Sequence, residues 1–339
     1  VWERAFPEDA GTAFLDWFFT ERYLPDWCVV AEREGRIAGV AHTLPLHLRV
    51  RDTILPCAIL GGVATETAFR GQGVMREIMT MLMRMLHARG VPVLPHRPVE
   101  LRVYASLGHY PASDFQYAAL GAGAPRPAFD PCLETDATAE GAALYTCYGA
   151  FSKRYSGVID RSYADFACKL RDYASSGAAC VRVEEAGIVT GYCVYYEDAN
   201  EVYGDECVAR SPDAYRRLCE GMALRAAGKQ LRMRLAPDVV IPGAQSVTAP
   251  RSVIGVADVR PLLRAVGLSG GSIEVTDDVV PENAGIMDLE GNATSRPPQL
   301  RIGAGRLAQW AMGYRSMADI AQAGQAEVLH DGVLSLLDA

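Results

Sequence analysis

The chain has 339 residues, half of them hydrophobic, and a net charge of −8 with no block of basic residues. That length allows two or three domains. The acidic balance argues against a nucleic-acid partner, which needs a positive footprint, and is compatible with a cationic amine substrate.

In chain order, Ala10–Tyr23 reads as an amphipathic helix with Phe14, Trp17 and Phe18 on one side. Cys28–Glu32 and Ile37–Val50 read as strands joined by a hairpin turn at Glu34-Gly35-Arg36. A further β-type run, Cys57–Thr65, enters the loop Glu66–Phe69. That loop delivers Arg70-Gly71-Gln72-Gly73 to the start of a long helix. A glycine-rich turn at a helix N-terminus makes an anion site, because unpaired N–H groups point outward and the helix dipole favours negative charge. Gly71 and Gly73 let a phosphate approach the backbone, and Arg70 adds a fixed positive charge. In the helix, Val74, Ile78, Met81, Leu82, Met85 and Leu86 follow the spacing of one apolar face. The five methionines from Met75 to Met85 read as packing residues, since methionine fills irregular gaps between helix and sheet. Gly90 stops the helix, and Val91–Leu94 reads as the next strand.

Two nucleotide motifs are excluded. No Lys follows Gly73, so this is no Walker loop. Arg76 stands where a dinucleotide fingerprint needs its third glycine. The wider order is V-A-T, four residues, then R-G-Q-G-V-M-R-x-I-M. It resembles the acetyl-CoA-binding motif of the GNAT superfamily of N-acetyltransferases, Gln/Arg-x-x-Gly-x-Gly/Ala. Arg70 and Gly73 match that pattern and Met75 departs from it. The same departure is seen in the enhanced-intracellular-survival (Eis) subgroup. The resemblance implies that the amides of Gln72–Met75 hold the pyrophosphate of acetyl-CoA. It also implies that the main chain of Val63 and Thr65 bonds the pantetheine arm. The cofactor set is then Val63, Ala64, Thr65, Arg70, Gly71, Gln72, Gly73, Val74 and Met75.

After Pro92, Pro95 and Pro98, a short helix around Glu100–Ser106 leads to a strand near Gln116–Leu120. Gly121–Pro131 is a linker by composition. Beyond it, helices at Thr138–Tyr155 and Arg161–Tyr173 precede strands at Ala179–Glu184, Gly191–Glu197 and Val202–Ala209. A helix at Ser211–Ala227 and a strand at Gln230–Leu235 follow. This order repeats that of the first unit, but its turn, Arg210-Ser211-Pro212-Asp213, has no glycine and carries an acid. In the last unit, Ser252–Ala257 reads as a strand and Asp258–Val266 as a helix. Strands at Ser272–Val275, Ala284–Leu289 and Leu300–Ile302 follow, then helices at Leu307–Met312, Met317–Ala323 and Gly332–Leu337. Phrases such as ADVRPLLRAVG and LRIGAGRLAQWAMGYRS are similar to the sterol-carrier-protein-like domain that ends Eis-type chains.

The fold class expected is α/β with mixed sheets: tandem GNAT folds followed by a sterol-carrier-protein-like α+β domain. The boundaries expected are 1–128 for the acetyl-CoA-binding catalytic domain, 129–245 for a second GNAT-like domain without a cofactor motif, and 246–339 for the last. By the same resemblance the first strand of the first domain lies before Val1, and the start at Val rather than Met implies a trimmed N-terminus. The nine cysteines are odd in number and lack a CxxC pair, so neither a metal site nor a disulfide framework is expected. No run of 18 apolar residues and no signal-peptide pattern occur, so no membrane partner is expected and the cytoplasm is the default location. A homo-oligomer, a hexamer, is implied by resemblance alone.

Acetyl transfer to an amine requires the thioester to be held, the amine to lose a proton and the leaving thiolate to gain one. Tyr104 is the acid candidate. Its segment RVYASLGHYPA resembles the family's Tyr-x-x-x-Gly-aromatic pattern, and a phenol is protonated at neutral pH. The alternative is a tyrosine that packs in the core. The base stays open. Eis enzymes use the chain's terminal carboxylate, but family chains continue past a leucine-rich helix like this one, so the native C-terminus is expected beyond Ala339. Glu100, His96 and water are the other candidates. Trp17, Phe18 and Glu100 are candidates for the acceptor pocket. The function expected is transfer of an acetyl group from acetyl-CoA to a primary amine of a small cationic acceptor, aminoglycoside- or polyamine-like. A non-catalytic CoA- or lipid-binding protein is the alternative.

Overall fold

The computed structural model describes residues 1–120, 127–241 and 243–338. Most of the linker reading over Gly121–Pro131, and the terminal residue Ala339, lie outside the described residues. The chain starts with two short helices, α1 (Trp2–Ala5) and α2 (Ala13–Trp17). Thr12 caps α2 through its side-chain oxygen, which accepts from Leu15 N at 3.3 Å. The single helix expected over Ala10–Tyr23 is broken, because a wider π-type turn, Phe18–Arg22, replaces its second half. Consecutive aromatic residues favour the helix weakly. The wide turn brings Phe18 and Phe19 to one partner, with ring centroids 5.1 and 6.0 Å from Trp2.

Strands β1 (Cys28–Arg33) and β2 (Arg36–Val50) form the expected hairpin. Its two-residue turn has positive φ at both Glu34 and Gly35, which matches the twist of the flanking strands. β3 (Thr53–Thr65) pairs along β2 and leads through a short 3₁₀ turn into α3 (Val74–Ala88). The buried stripe of α3 is Val74, Ile78, Met79, Leu82, Met83 and Leu86. This corrects the apolar face expected from sequence, since Met81 is 56% exposed and Met79 and Met83 are buried in its place. Val74 lies at the edge of the stripe. Met81, two turns later, falls at nearly the same angle but past the edge of the contact with the sheet.

Next come β4 (Val93–His96), α4 (Leu101–Ala105), β5 (Tyr110–Leu120) and the two-residue β6 (Leu133–Glu134). Helices α5 (Gly141–Ser152) and α6 (Tyr163–Ser175) precede β7 (Ala179–Glu185), β8 (Ile188–Glu197) and β9 (Glu201–Ala209). Then follow α7 (Pro212–Ala226), β10 (Gln230–Leu235) and β11 (Gln245–Val256). All of these strands join one eleven-stranded sheet of order β1-β2-β3-β4-β11-β5-β10-β9-β8-β7-β6.

Two strands change places in that order. β5 follows the first half in sequence but pairs antiparallel with β10 of the second half. β11 follows the second half but pairs antiparallel with β4 of the first. Each half therefore receives its last strand from beyond itself, and β11 and β5 pair with each other to close the seam. Ser252–Ala257, expected as a strand of the last unit, forms the end of β11 and its exit from this large sheet. The two-residue periodicity of a strand cannot show this, because strand pairing is non-local.

The last unit has its own four-stranded sheet, order β13-β12-β14-β15, from β12 (Ser272–Thr276), β13 (Gly285–Asp288), β14 (Leu300–Gly303) and β15 (Ala326–Val328). Helices α8 (Val259–Val266), α9 (Ala304–Ala311), α10 (Met317–Gln322) and α11 (Val333–Leu337) complete it. Its core is continuous with the lower part of β2 and β3 through Leu46, Leu48, Val50 and Leu55. Among the described residues no helix is long and apolar enough to cross a membrane, and no His/Cys/Asp/Glu cluster could hold a metal ion.

Candidate active site

The turn between β3 and α3 has the geometry expected of it. Gly71 and Gly73 have φ of 76° and 80°, a left-handed conformation that side chains rarely adopt. Buried Phe69 anchors the turn, while Arg70 to Gly73 are exposed. Among the described residues no side chain caps α3, so its first N–H groups are open to an anion. Arg70 Nε donates to Thr65 O at 3.4 Å, and among the described residues Arg70 pairs with no carboxylate. Arg76, one turn into the helix, donates to Ser106 Oγ at 2.9 Å and ties α3 to the end of α4.

Beside this turn the sheet opens. β3 and β4 run parallel but pair at a single position, Cys57 with Val93. Val63, Ala64 and Thr65 pair with Ala41, Val40 and Gly39 of β2 on one edge. Their other edge carries no strand partner among the described residues, so its main-chain groups are free for an extended ligand arm. The β2–β3 register also slips. His42 faces Gly62 and Thr43 faces Leu60, which leaves Gly61 as a bulge. An open helix N-terminus, an unpaired strand edge and an adjacent bulge fit the pyrophosphate, pantetheine and acyl parts of acetyl-CoA in that order.

Tyr104 lies on α4, half-buried, and burial pushes its phenol above the ordinary value. The phenol therefore keeps its proton at neutral pH. Its ring packs edge-on against His96 at 4.5 Å and parallel to His109 at 6.1 Å. His96 is not the isolated histidine its sequence position suggests, because its Nε2 bonds His109 Nδ1 at 2.9 Å. The pair is 6% and 2% exposed, and Gly255 of β11 makes room for it, since a Cβ there would collide with the His109 ring. Glu100 is exposed and caps α4 by accepting from Arg102 N at 3.1 Å. Phe18 is buried, and Trp17 is half-buried with its indole N–H unpartnered among the described residues.

Sequence reasoning missed His42, His109 and Trp2. The His42 signal was available, since on β2 it shares a face with Val40 and Leu44 and is buried as they are. Burial lowers both His42 and His109 to about 4, and lowers His96 well below the usual range, with the charge of His109 adding to the effect. These rings fold neutral, while the unfolded chain binds their protons at an ordinary pKa near 6.5. Their contribution to stability is therefore complete above about pH 6.5 and is lost as pH falls toward 4. For His109 alone this amounts to about 3 kcal/mol. Urea unfolding measured between pH 7 and 4 should show that decline, and a flat profile would contradict it.

Residues 1–112 match the acetyltransferase (GNAT) domain family and residues 260–339 match the sterol carrier protein domain family. The chain thus carries a GNAT acetyltransferase domain at its start and a sterol-carrier-protein-like domain at its end. Among solved structures it is similar to a GCN5-related N-acetyltransferase from Kribbella flavida, at 20% identity and a TM-score of 0.80, covering 99% of this chain and 91% of that one. A probable N-acyltransferase from Enterococcus faecalis gives 16% identity and a TM-score of 0.80 over 98% and 90%. Eis1 from Mycobacterium abscessus gives 18% identity and a TM-score of 0.73 over 96% and 92%. At such identities the likeness concerns the fold. No curated protein matches the chain.

Proposed function

We propose that the protein is an acetyl-CoA-dependent N-acetyltransferase that acts on a primary amine of a small cationic acceptor, with Tyr104 as general acid. The observation that carries this reading is the Arg70–Gly73 turn, whose left-handed glycines open the N-terminus of α3 beside the unpaired edge of β3. Arg70 and the first amides of α3 bind the pyrophosphate, and the main chain of Val63 and Thr65 holds the pantetheine. Tyr104 gives its proton to the sulfur as the amine displaces it, the proton that the amine loses passes to water, and solvent reprotonates the phenolate, whose raised pKa favours the neutral form. The net charge of −8 supports a cationic acceptor, polyamine- or aminoglycoside-like. A cytoplasmic homo-oligomer, and the domain boundaries 1–128, 129–245 and 246–339, belong to the same proposal.

A thiol-release assay over a panel of polyamines and aminoglycosides tests it. Arg70→Glu should raise the KM for acetyl-CoA at least about tenfold, since it reverses a charge at the phosphate site. No thiol release with any amine, together with indifference to Arg70→Glu, would overturn the reading.

A further inference from the structure

We propose that His42 receives the acceptor, its ring Nδ1 taking a hydrogen bond from the amine N–H among the aromatic rings packed around it. The inference rests on the acetyltransferase reading above and adds a residue on the acceptor side.

His42 is only 6% exposed, and among the described residues nothing hydrogen-bonds its Nδ1. Four rings surround it: Trp2 at 5.1 Å, Tyr23 at 5.3 Å, Phe18 at 5.9 Å and Phe19 at 6.0 Å. A phenylalanine would fill that space without the penalty of about 1–3 kcal/mol for burying an unpaired polar atom. An orphaned imidazole kept in such a setting has a use for its free nitrogen.

Its position indicates which use. Across the β2–β3 ladder His42 stands opposite Gly62 and beside the bulge at Gly61. Gly61 lies two residues before Val63, about 7 Å back along β3, which is the direction from the pantetheine toward the acyl end. The face is also the appropriate one. A Cβ on Gly39 would meet Val74 and Ile78 of α3, whereas a Cβ on Gly62 would meet the Trp2 ring. His42 and the aromatic rings therefore lie across the sheet from α3. The missing side chain of Gly62 lets Trp2 reach His42. Tyr23 is the titratable group among the four rings, and among the described residues burial alone, with no neighbouring charge, shifts His42. The imidazole is therefore neutral and able to accept, with its proton on Nε2 in the accepting tautomer. The aromatic faces favour the cationic remainder of an amine acceptor.

The test has two arms. In the first, wild-type protein carrying ¹⁵N-labelled histidine and saturated with CoA is titrated with spermidine and, separately, with kanamycin. The His42 Nδ1 resonance should move with at least one of them, while that of exposed His47 should not. In the second, His42→Phe should raise the amine KM about tenfold, the value of one lost hydrogen bond, with the acetyl-CoA KM within twofold of wild type. His42→Gln, which restores an acceptor, should recover most of that loss. A stationary Nδ1 resonance with both amines, or a wild-type amine KM in His42→Phe, overturns the role of His42 while leaving the transferase reading intact. Absence of thiol release in the wild type overturns the transferase reading instead. In that case the resonance arm still decides whether His42 meets an amine, and it does not depend on any variant folding.

Discussion

Tyr104→Phe is expected to lower kcat by about 10²- to 10³-fold, the scale of a lost general acid, with the KM for acetyl-CoA nearly unchanged. The substitution removes one oxygen and keeps the ring. The ring is what packs on His96 and His109, so the fold around α4 should survive. The phenol is half-buried and its pKa is raised, so in the wild type the acid form persists to the alkaline side of the ordinary tyrosine range. Activity should thus hold through neutral pH and fall only as pH passes above that raised value. Steady-state kinetics of the variant across pH 6–10 reads both effects. Full turnover by Tyr104→Phe would return the residue to the alternative, a tyrosine that only packs.

The features that were legible in the sequence are those that local chemistry imposes. Gly71 and Gly73 announce their turn because only glycine takes positive φ there at no steric cost. The Glu34–Gly35 hairpin and the Ser211 cap of α7 are readable for the same local reason. Features set by distant partners were not legible. The pairing of His96 with His109 depends on how β4 and β5 diverge around β11, and on the absence of a side chain at Gly255. The place of β11 between β4 and β5 depends on a strand about 150 residues away in sequence, which no periodicity reports. β6 and β15, with two and three residues, are too short to carry an alternating pattern at all.

The second half repeats the bulge of the first, but with different residues at it. In the β8–β9 ladder Val194 faces Glu206 and Tyr195 faces Gly204, so Asp205 is the extra residue. Where the first half has Gly61 and Gly62, the second has Asp205 and Glu206. These carboxylates are closed in by the protein itself. Arg161 grips Glu206 with two bonds of 2.9 and 2.8 Å, Tyr192 donates to it at 2.7 Å, and Arg234 bridges Asp205 at 2.8 Å. Burial opposes ionisation of Glu206, yet Arg161 and Tyr192 hold its carboxyl down to about 2. The strands beside it are also zipped, since β9 and β10 pair from Glu201–Gln230 through Gly204–Met233, against the one pair in the first half. Ion pairs thus fill the place in the second half where the first half leaves an opening, consistent with a second turn that lacks glycines. Removing one partner leaves a buried charge uncompensated, so Arg161→Leu should cost about 3–5 kcal/mol of stability. The double variant Arg161→Leu, Glu206→Leu should regain much of that loss, because two apolar side chains leave no charge to solvate. Denaturant unfolding of the three proteins measures this. Acetyl-CoA binding by whatever fraction remains folded should match wild type, since the pair lies in the half without the Gly71–Gly73 turn proposed to hold the cofactor. A single variant as stable as wild type would mean that water reaches Glu206 and that this half is less tightly closed than its ion pairs indicate.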